Sequence, residues 1–366
     1  MNIFFVLGVG IALFIELLLI SKKNKSDSDR ILTLWMFLIL LHLFLFYLHF
    51  TDDIYDFPFL LGVGLPFPLL QGVFLFYYVS FVTDQLPKKK GLLFLHLLPA
   101  FLMYLYMVPF FLSSNEQKME IYKNNGAGYE LFNTLAILAI SISGLTYVIW
   151  SEVLLRRHRN NIEDQFSNLE KVNLRWLQIL TYGMGGIWFL VIFVGGDVFI
   201  FSGVVVFVFL IGFFGVRQAN IFSHGPSTPD EVEEKEKYQK SGLTEETSAE
   251  LHRELKRLMA EEGLYKRTDL SITDLSSRLG VHQNYLSQVI NQIEKKNFYD
   301  FVNSYRIEEF KRLLSIPKNQ NLTLLSLAFD CGFNSKTSFN RCFKKATGQT
   351  PSQYFTAVTG GQTPTP

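Results

Sequence analysis

Cysteine is scarce in this sequence. The chain has 366 residues but only two cysteines, Cys331 and Cys342, which form neither a CxxC pair nor a zinc-ligand pattern. We therefore expect no disulfide scaffold and no cysteine-based metal site. The two residues flank a predicted turn, where a redox-sensing role competes with a role as small buried packing residues.

Charged residues are also scarce, but only in the first 220 residues. That stretch holds 15 Lys or Arg and 15 Asp or Glu, whereas the shorter remainder holds 19 and 18. The net charge of +1 therefore conceals two different halves. This contrast excludes a uniform water-soluble globule and indicates an apolar part joined to a water-soluble part.

The apolar part contains seven long hydrophobic runs. Each has about the length that crosses roughly 30 Å of hydrocarbon as a helix. The last two are separated by Gly195 and Gly196, which favour a tight turn between two spans. We predict an all-α membrane domain over residues 1–217, a seven-helix transmembrane bundle in a lipid bilayer. The spans are expected near residues 3–20, 31–50, 59–82, 92–112, 131–155, 177–194 and 198–216.

Basic residues follow alternate spans. Of the 15 Lys and Arg in this half, all except Lys118 and Lys123 follow the first, third, fifth or seventh span. The positive-inside rule therefore places the N-terminus outside and the C-terminal part in the cytoplasm, as expected for a bacterial inner-membrane protein. No basic segment precedes the first run, so we expect a retained span and not a cleaved signal peptide.

Ionisable groups inside the predicted spans are candidates for a signal site. Glu16 and His42 are the two that we select, because charge at membrane depth is costly and often functional. Alternatives remain open, since Glu16 lies close enough to the cytoplasmic side to reach water, and His42 could be a neutral hydrogen-bonding residue. The Gly- and Pro-rich stretch 62–68 predicts either a ligand pocket or close helix packing.

A linker is expected over residues 218–265. Residues 223–230 are rich in Ser, Pro, Thr and Gly, a composition that ends a helix. Apolar residues then recur at helical spacing and predict a short amphipathic helix. We expect it to rest on the next domain or on a second chain, because no sustained heptad supports a long coiled coil. Its apolar positions are Leu251, Leu255, Leu258 and Met259.

Two similar helical patterns follow the linker. Residues 271–280 predict a helix that ends at Gly280, and residues 283–293 predict a second helix. Two short helices joined by a Gly-containing turn are typical of a helix-turn-helix. The inward residues of the second helix are expected to be Leu286, Val289, Ile290 and Ile293.

The same pattern then recurs. Residues 322–331 predict a helix, Gly332 a turn, and residues 335–347 another helix. Between the two patterns, residues 298–314 predict one amphipathic helix with Asn297 as its N-cap. Its length of about 26 Å suits two recognition helices in successive major grooves.

Several consecutive motifs resemble one family. The stretches NFYDFVNSYRI (297–307), LAFDCGFNS (327–335), SFNRCFKK (338–345) and GQTPSQY (348–354) resemble the DNA-binding domain of AraC/XylS transcription regulators. The resemblance covers about 90 residues, from 266 to 355. It implies an α-helical DNA-binding domain at 266–356 and a flexible tail at 357–366. It also implies double-stranded DNA as the partner, transcription regulation as the function, and no enzymatic activity, cofactor or metal.

The family pattern also implies which residues contact DNA. Amide side chains can bind adenine edges, and arginine can bind guanine. Two further lysines suit phosphate contacts. The first motif lacks Arg and Lys on this face, which favours adenine-directed contacts there. The implied contacts are Gln283, Asn284, Ser287 and Gln288 in the first motif, and Lys336, Thr337, Asn340, Arg341, Lys344 and Lys345 in the second. His282 is either a further contact or an exposed residue without a role.

Three function classes remain open. The first is a membrane-embedded regulator whose spans sense an unknown ligand or membrane signal. The second is a regulator that the spans merely tether, and the third is a transporter or membrane enzyme with a fused DNA-binding domain. Stretches such as FYY at 76–78 and LLP at 97–99 resemble multi-span bacterial sensor regions. A homodimer is compatible with the sequence, although two motifs per chain remove the strict need for one.

Overall fold

The computed structural model describes residues 2–87, 90–169, 174–217 and 245–358. These residues are largely helical and include no β-strand, only an isolated bridge between Phe166 and Ser271. The all-α prediction is therefore confirmed. Most of the predicted linker (218–244) and of the predicted tail (359–366) lies outside the described residues.

The described residues form two compact units. The first unit comprises those up to Arg157 together with those from Leu174 to Arg217. The second unit comprises residues 158–169 and 245–358. The helices of the first unit are α1 (Asn2–Ser21), α2 (Asp27–Phe50), α3 (Phe67–Val82), α4 (Leu98–Tyr106), α5 (Val108–Leu112), α6 (Asn115–Lys123), α7 (Glu130–Gln165, which continues into the second unit), α8 (Arg175–Phe189) and α9 (Asp197–Arg217).

Five helices of the first unit are long and apolar enough to cross a membrane, judged by length and composition. They are α1, α2, α7, α9 and the stretch Arg175–Val194, in which α8 continues into a π-helix. Each coincides with a predicted span. Their side chains also leave much apolar surface exposed. In the most apolar 18-residue stretch of α7, only 6% of the residues are buried.

The third and fourth predicted spans differ from the structure. The α-helix expected at 59–82 begins only at Phe67, because the prolines and Gly62 before it favour short turns. The span expected at 92–112 is divided into a 3₁₀ helix, α4 and α5. Pro99 and Pro109 stand at the starts of α4 and α5, where a missing N–H is tolerated. The count of seven spans stays a prediction.

Small residues allow the helices of the first unit to approach closely. A Cβ on Gly8 would lie 2.5 Å from Val205, which brings α1 against α9. A Cβ on Gly183 would lie 3.2 Å from Phe207, which brings α8 against α9. Such contacts are typical of helices that pack without a hydrophobic driving force from water.

The second unit contains two helix-turn-helix motifs joined by one long helix. Helix α10 (Glu245–Glu261) precedes them. The first motif is α11 (Ile272–Leu279) and α12 (Gln283–Val289), α13 (Phe298–Leu314) is the connecting helix, and the second motif is α14 (Leu324–Asp330) and α15 (Lys336–Thr347), followed by α16 (Pro351–Val358). The predicted N-cap of α13 is confirmed, since Asn297 Oδ1 accepts a hydrogen bond from the Asp300 N–H at 2.7 Å.

Helix α10 forms one wall of the first motif's core. Leu255, Leu258 and Met259 are buried there against residues such as Leu275 and Leu286. The amphipathic helix therefore docks on the domain, as predicted. A domain cut at residue 266 would lack this wall and expose the apolar residues that it covers.

One predicted core position of the first motif is exposed. Leu286, Val289 and Ile290 are buried as expected, but Ile293 is 43% exposed. The cause is a π-helical turn over Ile290–Glu294, which adds a residue to the turn and rotates later side chains away from the core.

The core of the second motif includes a segment that is distant from it in the sequence. Ile162 and Leu169 are buried together with Phe310, Phe339 and other residues of the second motif. By the sequence prediction, residues 158–169 lie between the fifth and sixth spans. The structure makes them part of the second unit.

Gly332, in the turn of the second motif, is expected to resist substitution. Its φ is +98°, and a Cβ there would lie 2.6 Å from the Tyr265 carbonyl oxygen. Gly348 is the matched control, with φ of +76° but nothing within 4 Å of a Cβ. We expect Gly348→Ala to cost about 1–2 kcal/mol from backbone strain alone. Gly332→Ala should cost about 1–3 kcal/mol more, because a neighbouring backbone must shift.

The measurement is hydrogen exchange of the α14 and α15 amides in the full-length protein in detergent. Faster exchange for Gly332→Ala than for Gly348→Ala is the expected result. Equal exchange in the two variants would show that the close approach to Tyr265 does not constrain the turn.

Candidate DNA-binding surface

Three residues cap the helices of the first motif. Ser271 caps α11 and exchanges hydrogen bonds with Asp274, so both ends of a capping box are present. Gly280 ends α11 in the left-handed conformation. His282 caps α12, because its Nδ1 accepts a hydrogen bond from the Asn284 N–H at 3.2 Å. His282, whose role the sequence left open, is therefore the N-cap of α12.

The predicted DNA contacts of the first motif differ in exposure and in hydrogen bonding. Asn284 and Gln288 are exposed and lie one turn apart on α12. Gln283 is half-buried, and its Oε1 accepts a hydrogen bond from Thr273 at 3.0 Å. Ser287 is also half-buried. The exposed amides of Asn284 and Gln288 are thus the best placed of this group to reach a base edge.

The predicted contacts of the second motif lie together on α15. The Ser335 hydroxyl caps the helix by accepting a hydrogen bond from the Ser338 N–H. The opposite face of α15 is buried through Phe339, Cys342 and Phe343. One exposed polar face therefore carries Lys336, Thr337, Asn340, Arg341, Lys344 and Lys345.

Arg341 is held in position by a buried tyrosine. Its guanidinium lies 5.3 Å from the centre of the Tyr299 ring, and Nη2 donates a hydrogen bond to Tyr299 Oη at 2.9 Å. That phenol also lies 3.0 Å from Ser338 Oγ and from Cys342 Sγ. Burial raises the pKa of Tyr299 to about 12, so the phenol stays neutral. The arrangement pre-orients the one arginine of α15.

The lysines of α15 differ in their pairing. Lys345 Nζ lies 2.6 Å from Asp300 Oδ2 at the start of α13. Lys336 and Lys344 have no ion pair within the described part of the chain. A phosphate contact by Lys345 therefore requires this exposed pair to open, which costs little because exposed pairs are weak.

Arg306 is the residue that sequence reasoning missed. It is 1% exposed, and its guanidinium donates to five acceptors. These are the carbonyl oxygens of Tyr265, Arg267 and Ser167, the Ser167 hydroxyl, and Asn303 Oδ1, at 2.6–3.2 Å. Burial lowers the pKa of Arg306 to about 10, which still leaves the group charged at neutral pH. No sequence signal marks an arginine inside a helix as buried.

Both cysteines are buried, as the packing alternative requires. Cys331 and Cys342 are free thiols in the core of the second motif. Burial raises the pKa of Cys331 to about 12 and also raises that of Cys342. Neither thiol is therefore activated for oxidation.

The two candidates for a signal site lie apart from the DNA-contact residues in sequence and differ in setting. Glu16 on α1 is 4% exposed, and its Oε2 has no hydrogen-bond partner among the described residues. His42 on α2 makes edge contacts with Phe67 and Phe201 and lines a cavity of about 690 Å³. Gly62, Gly64 and Pro68 also line this cavity, in line with the pocket alternative for stretch 62–68. Glu16 is not among its described lining residues.

Comparison with known proteins agrees with this geometry. Residues 275–357 match the family model of the helix-turn-helix domain. The match agrees with the resemblance of the C-terminal motifs to an AraC-type helix-turn-helix domain.

The most similar relatives found include uncharacterised HTH-type transcriptional regulators of Staphylococcus aureus strains COL, MSSA476 and N315. Each is 36% identical over 91 residues. The matched region is 25% of this chain and only 12% of each relative. No solved structure matches the chain.

Arg341 and Lys345 are expected to contribute differently to DNA binding. Arg341→Ala should cost about 1–3 kcal/mol on a specific duplex and relax the preference for one base pair, if the pre-oriented guanidinium binds guanine. Lys345→Ala should weaken specific and random duplexes alike, because a phosphate contact carries no sequence information. Competition titrations with the full-length protein measure both effects. Equal losses on both duplexes for Arg341→Ala would reduce it to a backbone contact.

Proposed function

We propose that this protein is a membrane-embedded bacterial transcription regulator. It binds promoter DNA in a sequence-specific way through two helix-turn-helix motifs, and its membrane-spanning part senses a signal. The observation that carries the proposal is the second unit itself: two capped motifs at the ends of one connecting helix, each with an exposed polar face.

Several contacts support DNA as the partner. The exposed face of α15 has four basic residues, including the pre-oriented Arg341. The face of α12 offers Asn284 and Gln288 as amides for adenine edges. Residues 266–356 hold 13 basic and 7 acidic residues, which suits a polyanion. The relatives that share this region are named as HTH-type transcriptional regulators.

The exposed surface of the first unit supports a lipid environment. Large apolar side chains such as Leu131, Leu138 and Ile149 of α7 are more than half exposed. Contiguous apolar surface of this kind is unfavourable in water and suits a hydrocarbon phase. The distribution of Lys and Arg supports an external N-terminus and a cytoplasmic second unit.

Two features of the first unit favour sensing over tethering. The cavity of about 690 Å³ combines apolar walls with His42, His49 and Asp197, which would suit an amphipathic ligand. Glu16 is buried, and its Oε2 has no partner in the described part of the chain, an arrangement that a mere anchor does not need.

The orientation gives a direct prediction. A periplasmic reporter fused after Asn124 should be active, and one fused after Lys89 should be inactive, because basic residues are retained on the cytoplasmic side. Reporter activity normalised to protein abundance is the measurement. The reverse pattern would place the second unit outside the cell, away from DNA.

Genome-wide mapping of DNA bound by the full-length protein tests the function, and one pair of variants tests sensing. We expect a shared sequence near bound promoters.

Gly64→Leu places a larger side chain in the cavity, where a Cβ at this position would lie 3.4 Å from Leu45. Gly10→Leu is the matched control, because nothing lies within 4 Å of a Cβ at that exposed position.

Transcription from the bound promoters should change for Gly64→Leu and stay at the wild-type level for Gly10→Leu, at equal protein abundance. Unchanged transcription for both variants would favour the tether. The absence of any shared bound sequence would refute the regulator proposal itself.

A further inference from the structure

Ser167 lies between the two motifs of the second unit. Its N–H donates to the Leu270 carbonyl oxygen at 3.1 Å, and its hydroxyl donates to the same oxygen at 2.6 Å. Its own carbonyl oxygen accepts hydrogen bonds from Arg306 Nη1 at 3.1 Å and from Asn303 Nδ2 at 3.3 Å. Ser167 therefore joins the start of the first motif to the connecting helix α13.

The residues around Ser167 bind both motifs. Phe166 forms an antiparallel bridge with Ser271, the N-cap of the first motif. Ile162 and Leu169 are buried in the core of the second motif. Glu163 accepts a hydrogen bond from Asn297, the N-cap of α13, at 3.2 Å. Residues 162–169 therefore contact the first motif, the connecting helix and the second motif.

The 3₁₀ helix Leu264–Lys266 also reaches both motifs, because Leu264 is buried in the first core and the Tyr265 carbonyl oxygen lies against Gly332 in the turn of the second motif. Helix α10 packs in the core of the first motif. The connecting helix α13 reaches both cores but is itself one of the parts to be positioned. Residues 158–169 differ from these elements because they are continuous with α7, which begins at Glu130 in the first unit.

We propose that residues 158–169 are an integral structural part of the DNA-binding unit. This segment fixes the two motifs in the arrangement that binds promoter DNA, and it transmits movements of the fifth span to them. The inference rests on the proposed function, since it names the element that couples the membrane part to DNA. It assigns the coupling to α7 and not to the linker that precedes α10.

Arg306 links the docking of residues 158–169 to the arrangement of both motifs. Two of the five acceptors of its guanidinium belong to Ser167. If the segment leaves, a buried cation keeps only the carbonyl oxygens of Tyr265 and Arg267 and the amide of Asn303. A buried charge that loses partners is strongly unfavourable, so the surrounding residues must rearrange. Undocking therefore changes both motifs together.

The first test compares two serine-to-alanine variants in full-length protein in lipid nanodiscs. Ser167→Ala removes the hydroxyl that joins Leu270 and Arg306. Ser151→Ala is the matched control, because Ser151 is a buried serine of α7 whose hydroxyl has no hydrogen-bond partner in the described residues. The probes are a promoter duplex from the mapping experiment and a random duplex.

For Ser167→Ala we expect faster amide exchange at residues 166–168 and about tenfold weaker binding to the promoter duplex, with a smaller loss on the random duplex. Ser151→Ala should match wild type in every measurement. Promoter binding at the wild-type level for Ser167→Ala would overturn the proposal. Exchange is measured without DNA, so this readout does not depend on the proposed function.

The second test holds the segment in place with a reversible cross-link. Residues paired in an antiparallel bridge have Cα atoms about 4.5–5.5 Å apart, within the range of a disulfide. Phe166→Cys combined with Ser271→Cys should therefore form one on oxidation, confirmed by peptide mapping. The reduced form of the same protein is its own control.

The oxidised protein should bind the promoter duplex at least as tightly as the reduced protein. In the Gly64→Leu background, the change in affinity seen in the reduced protein should be abolished by oxidation. Loss of promoter binding on oxidation would show that the segment must leave for DNA to bind, and would overturn the proposal. A Gly64→Leu effect that survives oxidation would assign the coupling to another element.

Discussion

The second unit depends on one buried cation. The Arg306 guanidinium is 1% exposed, and every acceptor around it is a backbone carbonyl, an amide oxygen or a hydroxyl, not a carboxylate. Neutral acceptors satisfy its hydrogen bonds but do not cancel its charge, so each of them matters. They come from three distant parts of the chain, at residues 167, 265–267 and 303. The geometry of both motifs follows from holding these parts together.

This constraint changes the boundaries of the DNA-binding domain. The family model matches residues 275–357, whereas the compact unit also includes α10 and residues 158–169. Helix α10 closes the first core, and the segment at Ser167 joins both motifs. A region defined by motif similarity is therefore smaller than the region that folds, because the additional contacts come from residues outside the motifs.

The candidate DNA-binding face combines features that the sequence predicts with features that it does not. Exposure of Asn284, Gln288 and the polar residues of α15 follows from amphipathic spacing. The hydrogen bonds that fix Arg341 on Tyr299 and that occupy Gln283 do not follow from it. They join residues 42 and 10 positions apart, and only packing of the helices brings such residues together.

The sequence by itself determined the helical class, the apolar and charged halves, five long apolar helices, the two motifs and the cap at Asn297. These features depend on local hydrophobic periodicity and on short-range hydrogen bonds, which neighbouring residues specify. Tertiary structure alone decided the burial of Arg306, the docking of residues 158–169 and the exposure of Ile293. Each depends on contacts between distant residues or on a π-turn within a helix, and such contacts leave no period or motif in the sequence.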